Sequence, residues 1–435
     1  MIAGNQAPLG QESLRERDRR YLWHPYTQHK TAPEHIAITR GQGALLWDEE
    51  GKQYIDAIAS WWVNPYGHSN TYIADAIYRQ LTTLEHVLFG GFTHEPAILL
   101  AERLVPLLPP GQEKLFFSDN GSTAVEVAIK AALQYYYNKG EKRTKIIALE
   151  NAFHGDTFAA MAASGITFFT EAFRGSLVEV THIPVPVKGS EDEALAVLKA
   201  LAATGEYAAF IFEPLVQGAA GMVMYEPQAL DRLIAVCRDH GVFTIADEVM
   251  TGFGKTGKIF ASGHLENKPD MMCLSKALTG GTIPMAVTTF TGKIFKGFYD
   301  DDVNRVLFHG HTFMANPTGC AAALASLDLL LSDEMQQNIR RINENHLAFM
   351  KKMQHHPRVK EVRVRGVILA LEIAREGKEE YYGGFRNRLY NFFISRGIIL
   401  RPVGNIVYIL PPYIITDDLL RNIYDVVEEA VEKIT

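Results

Sequence analysis

Two stretches of sequence decide the fold: VFTIADE at residues 242–248 and MMCLSK at residues 271–276. Each is a short apolar run that ends in a charged side chain, which is typical of a strand buried on both faces of a parallel sheet. Asp247 and Lys276 are 29 positions apart, about the length of one strand–helix–strand step. If the two strands are neighbours, both side chains lie at the sheet edge where α/β proteins bind their ligands.

The same alternation continues on both sides of these strands. From about residue 75 onward, predicted helices of roughly 12 to 18 residues alternate with short apolar strands, a pattern of parallel βαβ units. Thr123 and Glu126 resemble a capping box that opens a helix ending near Gly140, and Pro227 starts a helix that stops at Gly241. Strands are predicted at 115–117, 145–149, 208–212, 242–246, 271–274 and 286–290.

The two chain ends differ from this central pattern. Residues 43–47 and 53–58 flank a polar turn and predict a β-hairpin. After residue 330 the sequence predicts a charged helix, a β-like stretch, a second helix and a strand, at 332–355, 362–373, 385–396 and 405–410. We therefore predict a large α/β domain at 61–329 and a smaller α+β domain built from 1–60 and 330–435.

Composition limits the possible partners. The 435 residues predict two or three domains, and the 47% hydrophobic content is that of a globular protein. The 43 basic and 50 acidic residues give a net charge of −7, so no overall charge attracts nucleic acid or anionic lipid. Small molecules are the expected partners.

Metal, disulfide and targeting signals are weak. Cys237, Cys273 and Cys320 are far apart and form no CxxC pattern, and His309 and His311 lack a third ligand at suitable spacing, so we predict no metal. The first 20 residues become charged where a signal peptide is apolar, and no 18-residue uncharged apolar run follows. These features favour a cytoplasmic protein without a membrane segment.

A glycine-rich segment imitates two nucleotide motifs. Gly252, Gly254 and Gly257 match GxGxxG, and Lys258 extends the match toward a P-loop. However, position 259 is Ile where a P-loop needs Ser or Thr, and five residues separate the strand from the first glycine. We interpret this segment as a surface loop, and a nucleotide-dependent enzyme stays a weak alternative.

Asp247 and Lys276 together suit one cofactor, pyridoxal phosphate. A lysine that leaves an apolar strand is partly desolvated, which lowers its pKa and makes its amine nucleophilic toward an aldehyde. A carboxylate at the same edge can keep the pyridinium nitrogen of the cofactor protonated. The phosphate needs backbone N–H donors, and Gly121 and Ser122 lie in a turn at a predicted helix N-terminus.

Three motifs make this hypothesis specific. FIFEP at 210–214, IADEVMTGFG at 245–254 and LSKALTGG at 274–281 resemble the class III pyridoxal-phosphate aminotransferases, and the similarity extends across almost the whole chain. The resemblance implies a fold-type I transferase, with a mostly parallel sheet of the seven-stranded type in the large domain. The motifs WHPYT (23–27), SWW (60–62), HVLFGG (86–91), FHGDT (153–157), ALTGGT (277–282) and RP (401–402) are similar to members that convert 8-amino-7-oxononanoate into 7,8-diaminononanoate in biotin biosynthesis.

The resemblance also implies roles for single residues. Lys276 binds the cofactor covalently and moves the substrate proton, and Asp247 holds the pyridinium nitrogen. Thr312 reaches the phosphate bound by a neighbouring subunit, which implies a homodimer with shared active sites. The implied cofactor-binding residues are Gly121, Ser122, Phe153, Asp247, Lys276 and Thr312, and the implied substrate-binding residues are Tyr26, Trp61, Phe153, Gly310 and Arg401.

Three departures from the family pattern leave the amino donor open. Phe153 stands where members commonly have tyrosine, and Lys255 stands where members that use S-adenosylmethionine tend to have arginine. His311 stands where some members have proline. Lysine keeps the charge but lacks the planar fork of arginine. S-adenosylmethionine is the expected donor, with lysine as the alternative. Another class III ω-amino-acid aminotransferase and an inactive protein of the same fold also stay open.

Overall fold

The computed structural model describes residues 12–375 and 383–434. Residues 1–11 of the N-terminal stretch, where the sequence predicts no signal peptide, lie outside the described residues, as do 376–382 and 435. Among the described helices, none has the length and apolar character needed to cross a membrane.

Strands of three main sheets alternate with helices along the chain. The strands are β1 (Ile38–Gln42), β2 (Leu45–Asp48), β3 (Gln53–Asp56), β4 (Gln112–Ser118), β5 (Lys145–Leu149), β6 (Val180–Ile183), β7 (Tyr207–Phe212), β8 (Val216–Gln217), β9 (Val223–Met224), β10 (Phe243–Asp247), β11 (Met271–Leu274), β12 (Ala286–Thr291), β13 (Val359–Arg365), β14 (Ile368–Ile373), β15 (Ile398–Ile399) and β16 (Ile406–Ile409).

The helices flank these sheets. They are α1 (Leu14–Tyr21), α2 (Ala59–Trp62), α3 (Thr71–Thr83), α4 (Glu95–Leu104), α5 (Gly121–Asn138), α6 (Phe158–Ala163), α7 (Thr167–Thr170), α8 (Glu191–Ala202), α9 (Pro227–Asp239), α10 (Gly292–Lys296), α11 (Pro317–Leu331), α12 (Asp333–Met353), α13 (Gly384–Ser395) and α14 (Asp417–Lys433).

The large sheet has seven strands in the order β4-β12-β11-β10-β7-β5-β6. Only β12 is antiparallel to its neighbours, so the predicted mostly parallel sheet is confirmed. All six predicted strands are present. The prediction missed β6, because this edge strand is only partly buried and carries the polar residues Thr181 and His182.

Strand register brings the two decisive residues to one edge of the sheet. β10 and β11 are parallel neighbours, and Asp247 pairs with Cys273. Asp247 is the last residue of β10, and Lys276 follows β11 by two residues. The predicted adjacency of these two strands is therefore confirmed.

One helix start and one loop differ from the prediction. Helix α5 is capped by Asn120, whose side chain accepts the Thr123 N–H at 3.1 Å, so Thr123 is not its first residue. The glycine-rich segment at 252–258 is a surface loop only at its end, because residues 252–256 are buried and Gly257 and Lys258 are exposed. The hairpin of β13 and β14 covers it, and Val367 N–H donates to the carbonyl oxygen of Lys255 at 2.9 Å. Tyr413 also covers the segment, because its hydroxyl donates to the carbonyl oxygen of Phe253 at 2.7 Å. Short glycine-rich sequences usually turn at the surface, so contacts with residues distant in sequence explain this burial.

The two chain ends meet in a second, four-stranded sheet. The predicted hairpin is present as β2 and β3, while β1 extends it and β15 pairs in parallel with β3. The β-like stretch predicted at 362–373 is two antiparallel strands, β13 and β14, separated by a turn at Gly366 (φ 59°). The division of the chain at residues 61 and 330 stays a prediction.

Candidate active site

The carboxyl edge of the large sheet borders a cavity of about 730 Å³ that is lined by Asp247 and Lys276. Lys276 has φ 50°, a left-handed backbone that turns its side chain away from the strand direction. Its Nζ lies 4.6 Å from the centroid of the Trp62 ring. Burial lowers the pKa of Lys276 to about 8, although the negative charges of Asp247 and Glu213 oppose this shift. A neutral, nucleophilic amine is therefore accessible near physiological pH.

Asp247 is held in place by two contacts on the protein side. Its Oδ2 lies 2.7 Å from His154 Nδ1, and its Oδ1 accepts the Val249 N–H at 3.1 Å. The side chains of His154 and Asp247 are only 0% and 5% exposed. A buried carboxylate is costly without partners, so this pairing keeps Asp247 available to a cation in the cavity.

The opposite wall of the cavity contains the N-terminus of α5. Gly121 packs so tightly against Val249 that a Cβ there would lie 2.6 Å from Val249 Cγ1. The Ser122 hydroxyl lies 2.7 Å from Thr157 Oγ1 and accepts the Thr157 N–H at 3.0 Å. First-turn amides of this 18-residue helix have no partner within the helix, which suits an anion such as phosphate.

These three features fit pyridoxal phosphate. The amine of Lys276 suits the aldehyde, the carboxylate of Asp247 suits the pyridinium nitrogen, and the amides at Gly121 and Ser122 suit the phosphate. Phe153 lines the same cavity and offers an apolar face for the ring.

A strained turn presents two tryptophans to the site. All four residues of α2 have positive φ, between 46° and 73°, which costs about 1–2 kcal/mol per residue for L-amino acids. The buried carboxylate of Asp56 stabilises this turn, because it accepts the N–H groups of Ile58 and Ser60 at 3.2 and 3.0 Å. The Ser60 hydroxyl also donates to Asp56, at 2.8 Å. Strain of this kind is concentrated at functional sites.

A second cavity of about 420 Å³ adjoins the first and shares Trp62, Phe153, Asp156 and Lys276 with it. The guanidinium of Arg401 lies 4.3 Å from the centroid of the Trp61 ring. The second cavity has aromatic side chains along its walls and Arg386 and Arg401 as cationic groups besides Lys276, so it suits an elongated apolar molecule with an anionic end.

Tyr26 closes one side of this second cavity. Its hydroxyl donates to Asp156 at 2.6 Å, and its ring meets Phe169 edge to face at 5.4 Å between centroids. Asp156 lines both cavities. The Tyr26–Asp156 hydrogen bond therefore connects the N-terminal segment to the wall that the two cavities share.

Other buried ionisable groups surround the site. Burial raises the pKa of Glu213 to about 7, and the charge of Asp247 adds to this shift. Burial and the positive charge of Lys276 lower the pKa of Lys255 to about 7. The Nζ of Lys255 has no hydrogen-bonding partner among the described residues. Lys255 does not line either cavity.

The structure brings most of the predicted site residues together. Gly121, Ser122, Phe153, Asp247 and Lys276 line the first cavity, and Tyr26, Trp61, Phe153, Lys276 and Arg401 line the second. Their individual roles stay predictions.

Two predicted residues lie elsewhere. Gly310 and Thr312 are exposed in the loop before α11 and line neither cavity of the single chain. The predicted role of Thr312 is in the site of a neighbouring subunit, so a single chain does not test it.

Sequence reasoning assigned no role to four residues that the structure brings to the site: Trp62, His154, Asp156 and Glu213. Each of them belongs to a motif that carried the family resemblance. Their contacts with residues distant in sequence, such as His154 with Asp247, appear only in the fold.

Comparison with known proteins identifies the family. The profile of the Aminotransferase class-III family matches residues 26–431. The chain belongs to the class III aminotransferases. The predicted fold class and aminotransferase activity are therefore confirmed.

Several relatives cover nearly the whole chain. The adenosylmethionine-8-amino-7-oxononanoate aminotransferase of Synechococcus elongatus is 43% identical over 422 residues, which are 95% of this chain and 99% of that protein. The crystal structure of the Methanocaldococcus jannaschii protein of the same name has a TM-score of 0.91 at 35% identity, covering 97% of this chain and 99% of that one.

A further relative is the omega transaminase of Pseudomonas jessenii, solved in complex with PMP. It has a TM-score of 0.91 at 28% identity and covers 97% of this chain and 99% of that one. Together with the family, this complex confirms the prediction of pyridoxal phosphate as the cofactor.

Proposed function

We propose that this class III aminotransferase transfers an amino group to 8-amino-7-oxononanoate and thereby forms 7,8-diaminononanoate in biotin biosynthesis. The amino donor in this proposal is S-adenosylmethionine. Relatives that are 43% and 37% identical over nearly their full length bear the name adenosylmethionine-8-amino-7-oxononanoate aminotransferase, which supports the assignment. The single observation that carries it is the pair of adjoining cavities that share Lys276.

Pyridoxal phosphate, when bound, supplies the electron sink that stabilises negative charge at the substrate carbon. Lys276 acts as the general base and acid at that carbon, because its lowered pKa of about 8 is close to the working pH. Asp247 keeps the pyridinium nitrogen protonated, and the His154 contact at 2.7 Å fixes the carboxylate for this task. Gly121 and Ser122 bind the phosphate at the N-terminus of α5.

The second cavity supplies recognition of the acceptor. The acceptor has an apolar methylene chain that ends in a carboxylate. Arg401 binds that carboxylate through its planar guanidinium, and stacking on Trp61 at 4.3 Å orients the fork. Tyr26 and Trp61 cover the methylene chain, and the hydrogen bond from Tyr26 to Asp156 fixes that wall.

Lysine stays the alternative donor. Lys255, which stands in place of arginine, is the residue that leaves lysine open as a donor. Lys255 is only 1% exposed and does not line either cavity, so it makes no direct contact with a donor placed there. This placement gives lysine no specific support, and S-adenosylmethionine is retained. The placement of Lys255 likewise gives no specific support to the short ω-amino donors of other class III enzymes.

A homodimer also belongs to this proposal. Gly310 and Thr312 are exposed and lie outside both cavities of their own chain, which is compatible with a contribution to the active site of a second subunit. The cytoplasmic location and the absence of nucleic-acid partners stay predictions based on composition.

The proposal is tested with purified, cofactor-loaded enzyme and 8-amino-7-oxononanoate. Either S-adenosylmethionine or lysine is added as the donor, and 7,8-diaminononanoate is measured by mass spectrometry. We expect product with S-adenosylmethionine and little with lysine. Product with lysine alone would assign the alternative donor. Failure of 8-amino-7-oxononanoate to take the amino group from the amine-loaded enzyme, while a simple oxo acid does take it, would reject the acceptor.

A further inference from the structure

Three histidines and an aspartate gather near the N-terminal end of the described chain, outside both cavities of the active site. Asp18 lies on α1, His24 follows this helix, and His29 and His35 lie on the segment that leads to β1. The ring centroids of His24 and His35 are 3.8 Å apart, and His29 lies 5.7 Å from His24 and 5.9 Å from His35. Such a concentration of imidazole rings around a carboxylate is typical of metal ligation.

The carboxylate of Asp18 contacts a ring nitrogen of both His24 and His35. His24 Nε2 lies 2.9 Å from Asp18 Oδ1, and His35 Nδ1 lies 3.0 Å from Asp18 Oδ2. One ligand atom from each of the three residues lies within 4.8 Å of the other two. A single ion can therefore contact all three at about 2.0–2.2 Å after small side-chain rotations.

The cluster is open to ions and water. A cavity of about 400 Å³ borders Asp18, His24 and His35, which leaves room for water in the remaining coordination positions. The side chains of His24 and His35 are 30% and 33% exposed, so an ion can enter without unfolding the segment.

Local charge indicates which kind of ion fits. Arg15 borders the same cavity but pairs with Glu49 and Glu50 at 3.2 and 3.3 Å. Arg17 also lines the cavity, and its positive charge repels a cation. An ion that binds mainly through electrostatic attraction is therefore disfavoured here compared with one that forms strong bonds to imidazole nitrogen. Mg²⁺ and Ca²⁺ prefer several oxygen ligands, whereas two imidazoles and one carboxylate suit zinc and related transition metals.

We propose that Asp18, His24 and His35 form a binding site for a divalent transition-metal ion of the zinc type, with water completing the coordination. The ion replaces the protons that link Asp18 to the two imidazoles, and each displaced proton moves to the second nitrogen of its ring or to water. His29 positions the site, because its Nε2 accepts the His24 N–H at 3.0 Å and thus fixes the turn that carries His24. The ligands are 6 and 11 residues apart, so no short metal-binding motif marks them, and the proposal departs from the sequence-based prediction of no metal.

The proposed site is close in sequence to the substrate cavity. Tyr26, two residues after His24, donates its hydroxyl to Asp156 and lines that cavity. The segment from α1 to β1 contains all three ligands, and an ion that connects them stabilises its conformation. The role we infer is therefore structural, and its test does not depend on the identity of the substrates.

Zinc binding is measured by competition with a chromophoric chelator, using the full-length, cofactor-loaded enzyme without a polyhistidine tag. We expect about one zinc ion per chain. His35→Asn and Asp18→Asn should each weaken binding by at least about tenfold, since even the loss of a supporting residue around a metal costs that much. The matched control is His355→Asn, which changes an exposed histidine outside the cluster and should bind zinc like the wild type.

Thermal denaturation with and without zinc gives a second readout. Zinc should raise the melting temperature of the wild type and of His355→Asn but not that of His35→Asn. Retention of the visible absorption of the bound cofactor checks that each variant is folded, and Asp18→Asn replaces His35→Asn if the latter does not fold. A wild type that binds no zinc in competition, or equal zinc affinity in the wild type and both cluster variants, would overturn the proposal.

Discussion

The two adjoining cavities share Lys276 but are built in different ways. In the cofactor cavity the carboxylates nearest Lys276 in charge are buried: Glu213 is 4% exposed, and Asp247 contacts the buried side chain of His154. In the substrate cavity the aromatic walls are far more open, with Tyr26 at 41% and Trp61 at 39% exposure. Buried charges have few alternative partners, so we expect them to determine the rate of the chemical step. The more exposed aromatic and cationic groups are expected to determine the affinity for the substrate. Substitutions in the first cavity should therefore lower kcat, and substitutions in the second should raise KM.

Lys276→Ala should have the largest effect. Removing the amine removes both the covalent link to the cofactor and the proton transfer, and general acid–base catalysis alone is worth about 10²–10⁴-fold. We expect kcat to fall by at least that factor in a steady-state assay. Lys258→Ala, which changes an exposed lysine of the neighbouring loop, is the control and should retain activity. Near-normal turnover by the Lys276→Ala enzyme would show that the cavity containing Lys276 does not carry out the chemical step.

Asp247→Asn should have the second largest effect on kcat. The substitution conserves shape but leaves His154 without its carboxylate partner and the pyridinium nitrogen without its counter-charge. Leaving a buried cation, here the pyridinium, without its carboxylate partner costs about 3–5 kcal/mol, or roughly 100-fold to several thousand-fold. We expect this loss in kcat, together with weaker cofactor retention on gel filtration. An effect confined to the KM of the acceptor would indicate that Asp247 acts in substrate binding and not in the cofactor cavity.

Arg401→Lys tests the more open cavity. Lysine keeps the positive charge but cannot bind a carboxylate through two parallel hydrogen bonds. Because a hydrogen bond to a charged group contributes about 1.5–3 kcal/mol, the KM of the acceptor should rise by about 10- to 100-fold. We expect kcat and the visible absorption of the bound cofactor to change little. A fall in kcat at unchanged KM would contradict the division of labour between the cavities.

The pH dependence of cofactor attachment should show a smaller, graded effect. Burial lowers the pKa of Lys276 from its ordinary value of 10.5 to about 8. Only the neutral amine attacks an aldehyde, so the attachment rate should rise about tenfold per pH unit below pH 8 and level off above it. The rate is followed as the visible absorption develops after pyridoxal phosphate is added to the apoenzyme. A rate that keeps rising to about pH 10 would indicate a lysine with an unshifted pKa.

The part of the fold that could be predicted from the sequence is the alternation of short apolar strands with helices. Six buried apolar strands and the adjacency of β10 and β11 followed from hydrophobic runs and spacing. The edge strand β6 was missed because it is only partly buried. The burial of Lys255 was missed because it depends on a hairpin that follows more than a hundred residues later in the chain.

Site residues could be predicted where a charged residue directly follows an apolar strand in the sequence. Asp247 and Lys276 could be named because each ends an apolar strand. The left-handed turn at α2 could not be foreseen, since none of its four residues is glycine and it depends on Asp56 for its hydrogen bonds. The partnership of His154 with Asp247 joins residues 93 positions apart, which no local pattern reports.

The most direct test of the central claim is the position of the covalent bond to the cofactor. The pyridoxal-phosphate-loaded enzyme is reduced with borohydride and digested, and the peptides are analysed by mass spectrometry. We expect a pyridoxyl phosphate group on Lys276 alone. The informative competitor is Lys255, whose pKa burial also lowers, to about 7. Label on Lys255 or on any other lysine, with Lys276 unmodified, would show that Lys276 does not bind the cofactor.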